Sequence, residues 1–192
     1  MHRRLAFLFL GLLSLFLLSA CSSAIPNTEL AGGDEWTNID EIDHVIRIAL
    51  SGDTAALRSI VQFTQSKCTN AKGLGGPPKC VEGEIEGDAV EVLPFLGVEG
   101  FFIRKEDIGS WKGLDVSNVY AVYTVSELAY TDPDYPRGTH AIVLTGKGED
   151  SAVTLQITNG QIARIDFMFG EPPVIREVDV ESYLLSPQPT DA

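Results

Sequence analysis

Residues 152–169 read AVTLQITNGQIARIDFMF, two runs of β-branched, aliphatic and aromatic residues separated by Asn159-Gly160. An Asn-Gly pair between two such runs is the strongest short-range signal for a β-hairpin. The runs Ala152–Thr158 and Gln161–Phe169 are therefore predicted to be antiparallel neighbours.

The length of this turn decides which side chains of the hairpin face the core. A two-residue turn would place Val153 opposite Asp166, on an apolar face, where a carboxylate with a raised pKa could do acid–base work. A three-residue loop, Thr158-Asn159-Gly160, instead places Val153 opposite Ile165. Burying an unpaired carboxylate costs several kcal/mol, so we favour the three-residue loop. It makes Asp166 a solvated strand residue. The face that it shares holds Thr154, Gln156, Arg164 and Asp166.

Two more strand-like runs precede the hairpin, Val119–Ala129 and Thr139–Gly146, and no proline falls inside any of the four runs. The acidic stretch Val81–Gly100 predicts an edge strand with a charged outer face. Arg104–Trp111 suggests a short helix, and Val174–Val180 a short strand.

Two helices are predicted upstream of the strands. Trp36–Ser51 has apolar residues at helical spacing, and Asn38 precedes a glutamate by three residues, which is the capping-box pattern. Gly52 ends this helix, and Asp53 caps a second one from Thr54 to about Gln65. The sequence thus predicts one α+β domain over residues 36–183, with helices packed on a curved antiparallel sheet and a loose tail over 184–192.

The amino terminus has the pattern of a secretory signal. Two arginines precede the apolar run Leu5–Leu18, and Leu18-Ser19-Ala20-Cys21 resembles the lipobox of bacterial lipoproteins. The resemblance implies cleavage after residue 20 and a diacylglycerol on Cys21, which anchors the chain to the extracytoplasmic face of the cell membrane or an outer membrane. Residues 21–35 then form a flexible tether.

Two alternatives to the lipobox stay open. An uncleaved transmembrane helix needs about 20 apolar residues, which is more than the run Leu5–Leu18 supplies. An ordinary signal peptide would leave Cys21 without a role.

The charge of the chain excludes one class of partner. Without Arg3 and Arg4 the 14 Lys and Arg fall to 12, which against 27 Asp and Glu gives a mature net charge of −15. Such a surface repels phosphate backbones, so nucleic-acid binding is not expected.

Cys68 and Cys80 remain after Cys21 is assigned to lipid, and in an oxidising compartment two such cysteines pair. Their alternative is a metal site. No histidine lies between Ala49 and Gly138 to complete the four ligands that zinc requires, so we predict a disulfide, no metal and no cofactor.

Two helices around Leu50-Ser51-Gly52-Asp53, a third helix and a meander ending in Asn159-Gly160-Gln161-Ile162 resemble the cone-shaped fold of the nuclear transport factor two-like superfamily, which includes ketosteroid isomerase. The resemblance implies a curved sheet wrapped on helices with a pocket inside. It carries no specific function and no catalytic residue onto this chain.

Three functions follow as hypotheses. The first is a non-catalytic module that binds a small apolar ligand or an envelope protein. The second is a pocket enzyme of isomerase or hydratase type that uses a carboxylate or His140, and the third is a structural envelope component. The sequence lacks a GxSxG nucleophile motif, and no catalytic set is predicted.

Aromatic side chains supply the candidate ligand contacts. Tyr120 and Tyr123 are predicted on opposite faces of one strand, so that at most one lines a pocket, and Trp111, Tyr130 and Tyr135 would rim its opening. The alternative for each of them is packing in the core.

Overall fold

The structure is a computed structural model that describes residues 36–146, 151–169 and 172–188. The predicted signal sequence, Cys21 and the predicted tether 21–35 lie outside the described residues, and so does the end of the predicted tail. The described part is an α+β fold built on an eight-stranded sheet, in agreement with the predicted class. No helix within the three ranges is long and apolar enough to cross a membrane.

Two helices precede the sheet, α1 (Asp40–Ser51) and α2 (Thr54–Ser59). Two 3₁₀ segments, Lys105–Ser110 and Glu177–Asp179, follow later in the chain. The strands, in chain order, are β1 (Thr64–Lys67), β2 (Ala89–Leu96), β3 (Phe101–Arg104), β4 (Val116–Val125), β5 (His140–Gly146), β6 (Ser151–Thr158), β7 (Gln161–Phe169) and β8 (Val180–Leu185).

The sheet is mixed, which corrects the prediction of an antiparallel one. Its order is β1-β2-β7-β6-β5-β4-β8. The strand β3 pairs with the edge of β2 opposite to the edge that pairs with β1 and β7. The meander β4–β7 is antiparallel, but β2 runs parallel to β7, with Phe95 beside Ile165 and Leu96 beside Asp166. A parallel pair needs a long connection, and here β3, the 3₁₀ segment Lys105–Ser110 and the strands β4 to β6 supply it.

The acidic stretch before β2 is a loop, and β2 lies inside the sheet, so the predicted edge strand over Val81–Gly100 is wrong. Gly83 and Gly87 take positive φ angles of 93° and 94° and turn the chain. Between them, Glu84 accepts two hydrogen bonds of 2.8 Å from the Arg104 guanidinium. The pairing with Arg104, together with the turns, keeps these acidic residues out of the strand.

The first helix begins later than predicted, whereas its predicted end at Gly52 is confirmed, since Gly52 has a φ of 71°. Asn38 has a φ of 58° and so cannot serve as an N-cap, which requires extended backbone. The Asp43 carboxylate instead binds Thr37, through the backbone N–H at 3.1 Å and the hydroxyl at 2.8 Å. Asp53 does cap α2, as predicted, by accepting from two backbone N–H groups at 2.9 and 3.0 Å.

α2 is shorter than predicted because the start of β7 binds the chain that follows it. The N–H of Ile162 donates to the Ile60 carbonyl at 2.8 Å, and the N–H of Gln62 donates to the Ile162 carbonyl at 2.9 Å. These bonds replace helical ones, and β1 begins at Thr64.

Both faces of the meander are covered. On one face, Ile42 and Ile46 of α1 belong to the same buried cluster as strand residues such as Leu155. The opposite, outer face carries a second and smaller cluster that includes Tyr123 and Val143. Ala129, in the loop after β4, belongs to this second cluster, and Ile175 and Val180 pack against it. A side chain on the outer face of this sheet is therefore not automatically solvated.

Candidate functional site

A cavity of about 580 Å³ lies on the outer face of the sheet. Its floor is formed by β4, β6 and β7, and its sides by the loop around Ala129–Tyr130 and the segment 174–179. Apolar side chains supply most of the wall, and they include Leu96, Val98, Phe167, Met168, Val174 and Ile175. Its size and its mainly apolar wall are those of a small-molecule site.

The hairpin register that positions the floor is neither of the two predicted ones. The turn has two residues, with Thr158 opposite Gln161, and both Asn159 and Gly160 take positive φ. A bulge at Ala163 then shifts the pairing by one, so that Leu155 faces Ile165.

The bulge places the side chains of the hairpin on the same faces of the sheet as the predicted three-residue loop would have done. Leu155 and Ile165 are fully buried in the main core. The outer face holds the predicted set, Thr154, Gln156, Arg164 and Asp166.

The prediction that Asp166 is solvated is wrong. Its side chain is 18% exposed, and it pairs with Arg164, whose side chain is 4% exposed. The guanidinium donates from Nε to Oδ1 at 2.6 Å and from Nη2 to Oδ2 at 2.9 Å. The loop around Ala129–Tyr130 and the segment 174–179 cover this face, which is why the carboxylate is shielded from water.

Arg164 also fixes the loop that forms one side of the cavity. Its Nη1 donates to the carbonyls of Tyr130, at 3.2 Å, and Tyr135, at 2.9 Å. The guanidinium lies 5.9 Å from the centre of the Tyr130 ring. One buried side chain thus joins β7 to the loop that follows β4.

Gln156 completes the surroundings of Asp166. Its Nε2 donates to Oδ2 of Asp166 at 3.1 Å, and its Oε1 accepts from the N–H of Gly138 at 3.0 Å. Burial raises the pKa of Asp166, and the hydrogen bonds from Arg164 and Gln156 oppose that rise. Both carboxylate oxygens accept hydrogen bonds, which hold Asp166 in place against the floor of the cavity.

A second ion pair lies at the rim. Arg176 donates to both oxygens of Asp179, at 2.8 and 2.7 Å. The Arg176 side chain is 61% exposed. The four charged residues of the cavity wall therefore form two neutral pairs, Arg164–Asp166 and Arg176–Asp179.

Of the five aromatic candidates, Tyr123 and Tyr130 line this cavity, and Tyr123 lies on its floor. It is only 4% exposed, and its hydroxyl makes no hydrogen bond within the part of the chain that is described. Burial raises the pKa of this phenol, and the nearby carboxylates of Asp179 and Asp166 raise it further. The hydroxyl is therefore neutral, and its O–H is available to donate a hydrogen bond to a ligand.

Tyr120 does not lie on the face opposite Tyr123, which corrects the prediction. A bulge in β4 leaves Tyr120 without a partner on β5 between the pairs Val119–Leu144 and Ala121–Val143. As a result Tyr120 packs against the same outer cluster as Tyr123. It does not line the cavity.

Trp111 lies on the other side of the sheet, in the main core. Its ring meets that of Phe95 edge to face at 5.9 Å, and its carbonyl accepts from Nε of Arg58 at 3.0 Å. It lines a smaller cavity of about 280 Å³. The structure therefore does not bring Trp111 and Tyr123 into one site.

The two remaining aromatic candidates, Tyr130 and Tyr135, lie in different surroundings. Tyr130 lines the outer cavity, and its hydroxyl donates to Asp132. Tyr135 is buried against Phe102, with ring centres 5.0 Å apart, and contributes its carbonyl to Arg164. The composition of the sequence did not single out Arg164, Gln156 or Thr154 as site residues, although the pattern of alternating faces grouped them correctly.

Cys68 and Cys80 form a disulfide, as predicted. Together with Glu84 they place possible metal-ligating atoms within 4.8 Å of one another. The two sulfur atoms are bonded to each other, however, and the carboxylate binds Arg104. This group is therefore a structural brace of the loop before β2.

Comparison of the chain with protein-family models, with curated proteins and with solved structures finds no match in any of the three.

Proposed function

We propose that this chain is a lipid-anchored binding module on the extracytoplasmic face of a bacterial membrane, and that its ligand is a small, largely apolar molecule. The observation that carries the proposal is the outer cavity of about 580 Å³. Its wall is mainly apolar, and its four charged side chains neutralise one another. A cavity with such a wall is suited to bind a small, largely apolar molecule.

The proposed location rests on the sequence Leu18-Ser19-Ala20-Cys21 and on the disulfide, which is compatible with an oxidising compartment. We further propose membership of the cone-shaped superfamily. Support comes from the two helices and the meander, which share one core. Two features depart from that resemblance. The proposed third helix is a six-residue 3₁₀ segment, and the cavity of about 580 Å³ lies on the outer face of the sheet rather than between sheet and helices.

An enzyme of isomerase or hydratase type receives less support. It needs a group that is free to move a proton, whereas both oxygens of Asp166 accept hydrogen bonds from Arg164 or Gln156. His140 does not line the outer cavity. The geometry therefore favours binding.

We expect Gly97→Leu to block the cavity without disturbing the fold. Gly97 lines the cavity, and a Cβ built there meets Phe167 at 3.7 Å, which is an ordinary contact. Binding of the neutral dye Nile red, followed by its fluorescence, should weaken about ten-fold, equivalent to ~1.4 kcal/mol.

Gly109→Leu is the matched control, because Gly109 lies in open space on the 3₁₀ segment Lys105–Ser110. It should bind Nile red like the parent protein, and both variants should unfold at the parent's midpoint. Equal dye binding by Gly97→Leu and Gly109→Leu would contradict a role for the outer cavity.

Replacing Cys21 by serine tests the anchor. Without the thiol no acyl chain can be attached, and each buried CH₂ of such a chain contributes ~0.8 kcal/mol to membrane binding. In a bacterial host, the parent chain should sediment with membranes and carry the mass of lipid at residue 21. Cys21→Ser should lose both properties, whereas Ser23→Ala should keep them. A parent chain without lipid would refute the anchor.

A further inference from the structure

Some polar groups of the outer cavity have hydrogen-bond partners within the protein, and others are available to a ligand. Arg164 donates hydrogen bonds to Asp166. The amide of Gln156 donates to Asp166 through its nitrogen and accepts from the N–H of Gly138 through its oxygen. At the rim, Arg176 occupies both oxygens of Asp179. None of these groups offers an unpaired charge at the floor of the cavity.

Two neutral hydroxyls remain on the floor. Tyr123 is 4% exposed and its hydroxyl has no hydrogen-bond partner among the described residues. Thr154 is also buried, and its hydroxyl reaches only the sulfur of Met168, at 2.8 Å, which is a weak acceptor. Every fully enclosed side-chain polar atom of the described residues has a hydrogen-bond partner, so the unpaired Tyr123 hydroxyl faces the space of the cavity, where a ligand can reach it.

The electrostatics of the site disfavour charged ligands. A cationic head would have to be buried beside carboxylates that are already paired, and an anionic head would in addition meet the field of a strongly acidic chain. Since burial raises the pKa of Tyr123, the phenol keeps its proton and can donate it in a hydrogen bond.

We propose that the outer cavity selects neutral amphiphiles, in which an apolar chain or ring system lies along the wall and a hydroxyl or carbonyl oxygen accepts a hydrogen bond from Tyr123. This deepens the proposed function and rests on it. Thr154 offers the cavity a second neutral hydroxyl. Charged amphiphiles of the same length are rejected, because their heads would be desolvated without an opposite charge.

Three ligands that share one chain and differ in head charge test the proposal. Decanol, decanoate and decylammonium, each below its aggregation concentration, compete with Nile red at neutral pH. Decanol should displace the dye at a concentration at least about ten-fold lower than either ion. Equal potency of the three would overturn the proposal.

Tyr123→Phe removes the hydroxyl and keeps the ring. It should weaken decanol binding about three- to ten-fold, the usual effect of one neutral hydrogen bond, once the displacement is corrected for the variant's own affinity for Nile red. Tyr183→Phe is the matched control, because Tyr183 touches the Tyr123 ring edge to face at 6.1 Å but does not line the cavity. It should leave decanol binding unchanged.

The two proposals fail in different ways. If Gly97→Leu binds Nile red as well as the parent, the cavity is not the binding site and the proposed function fails. If Gly97→Leu blocks the dye while Tyr123→Phe binds decanol like the parent, the cavity binds ligands but Tyr123 does not select them. In that case the inference alone is overturned.

Discussion

Arg164→Met should lower the free energy of unfolding by about 3–5 kcal/mol, the range found when one partner of a buried ion pair is removed. The methionine keeps most of the volume but leaves Asp166 unpaired, and the carbonyls of Tyr130 and Tyr135 lose a donor. Urea unfolding measures the loss, and the thermal midpoint should fall by about 10 °C.

The matched control is Arg176→Met, which breaks the pair with Asp179 at an exposed position. An exposed pair contributes about 0–1 kcal/mol, so the control should be nearly as stable as the parent. The double variant Arg164→Met/Asp166→Leu should recover at least half of the loss, because no charge is left buried. If Arg164→Met were as mild as Arg176→Met, Asp166 would be solvated after all.

The pH dependence gives a second check on Arg164→Met. Burial raises the pKa of Asp166, and the loss of Arg164 removes the largest of the interactions that oppose that rise. A carboxyl whose pKa is raised by folding binds more protons in the folded state than in the unfolded state. The free energy of unfolding of the protein therefore falls as the pH rises towards the folded-state pKa. The deficit of Arg164→Met should therefore shrink as the pH is lowered from about 7 towards about 5.

This ion pair marks the limit of what the hairpin sequence could predict. The alternation of apolar and polar residues correctly grouped Leu155 with Ile165 and Gln156 with Asp166 on opposite faces. The bulge at Ala163 could not be predicted, because it depends on the Asn-Gly turn and the core together choosing a register. The pattern of one hairpin also cannot tell which later segments will cover its outer face.

The same limit applies to Tyr120 and the loops. Strict alternation places Tyr120 opposite Tyr123, but the bulge in β4 puts both against one cluster. The residues that cover the outer face, around Ala129 and Ile175, lie in irregular segments without periodicity. Periodicity predicts the faces of regular elements and carries no information on where a loop will pack.

The disulfide was predictable because it rests on cysteine number and compartment and needs no knowledge of the packing. Replacing both Cys68 and Cys80 by alanine should lower the free energy of unfolding by about 3 kcal/mol. The two cysteines are 12 residues apart, and the open chain between them gains conformational freedom mainly in the unfolded state. Urea unfolding under oxidising conditions measures the difference.

The packing around Cys68 explains why alanine is the appropriate replacement. Cys68 is buried with Val90 and Val92, so that serine would add the separate cost of burying a hydroxyl. A reducing agent supplies the control: it should destabilise the parent by a similar amount and leave the double variant unchanged. If reductant and double substitution both left the unfolding midpoint in place, the Arg104–Glu84 pair and the bond from the Cys68 N–H to the Asp88 carbonyl would be sufficient to hold this loop.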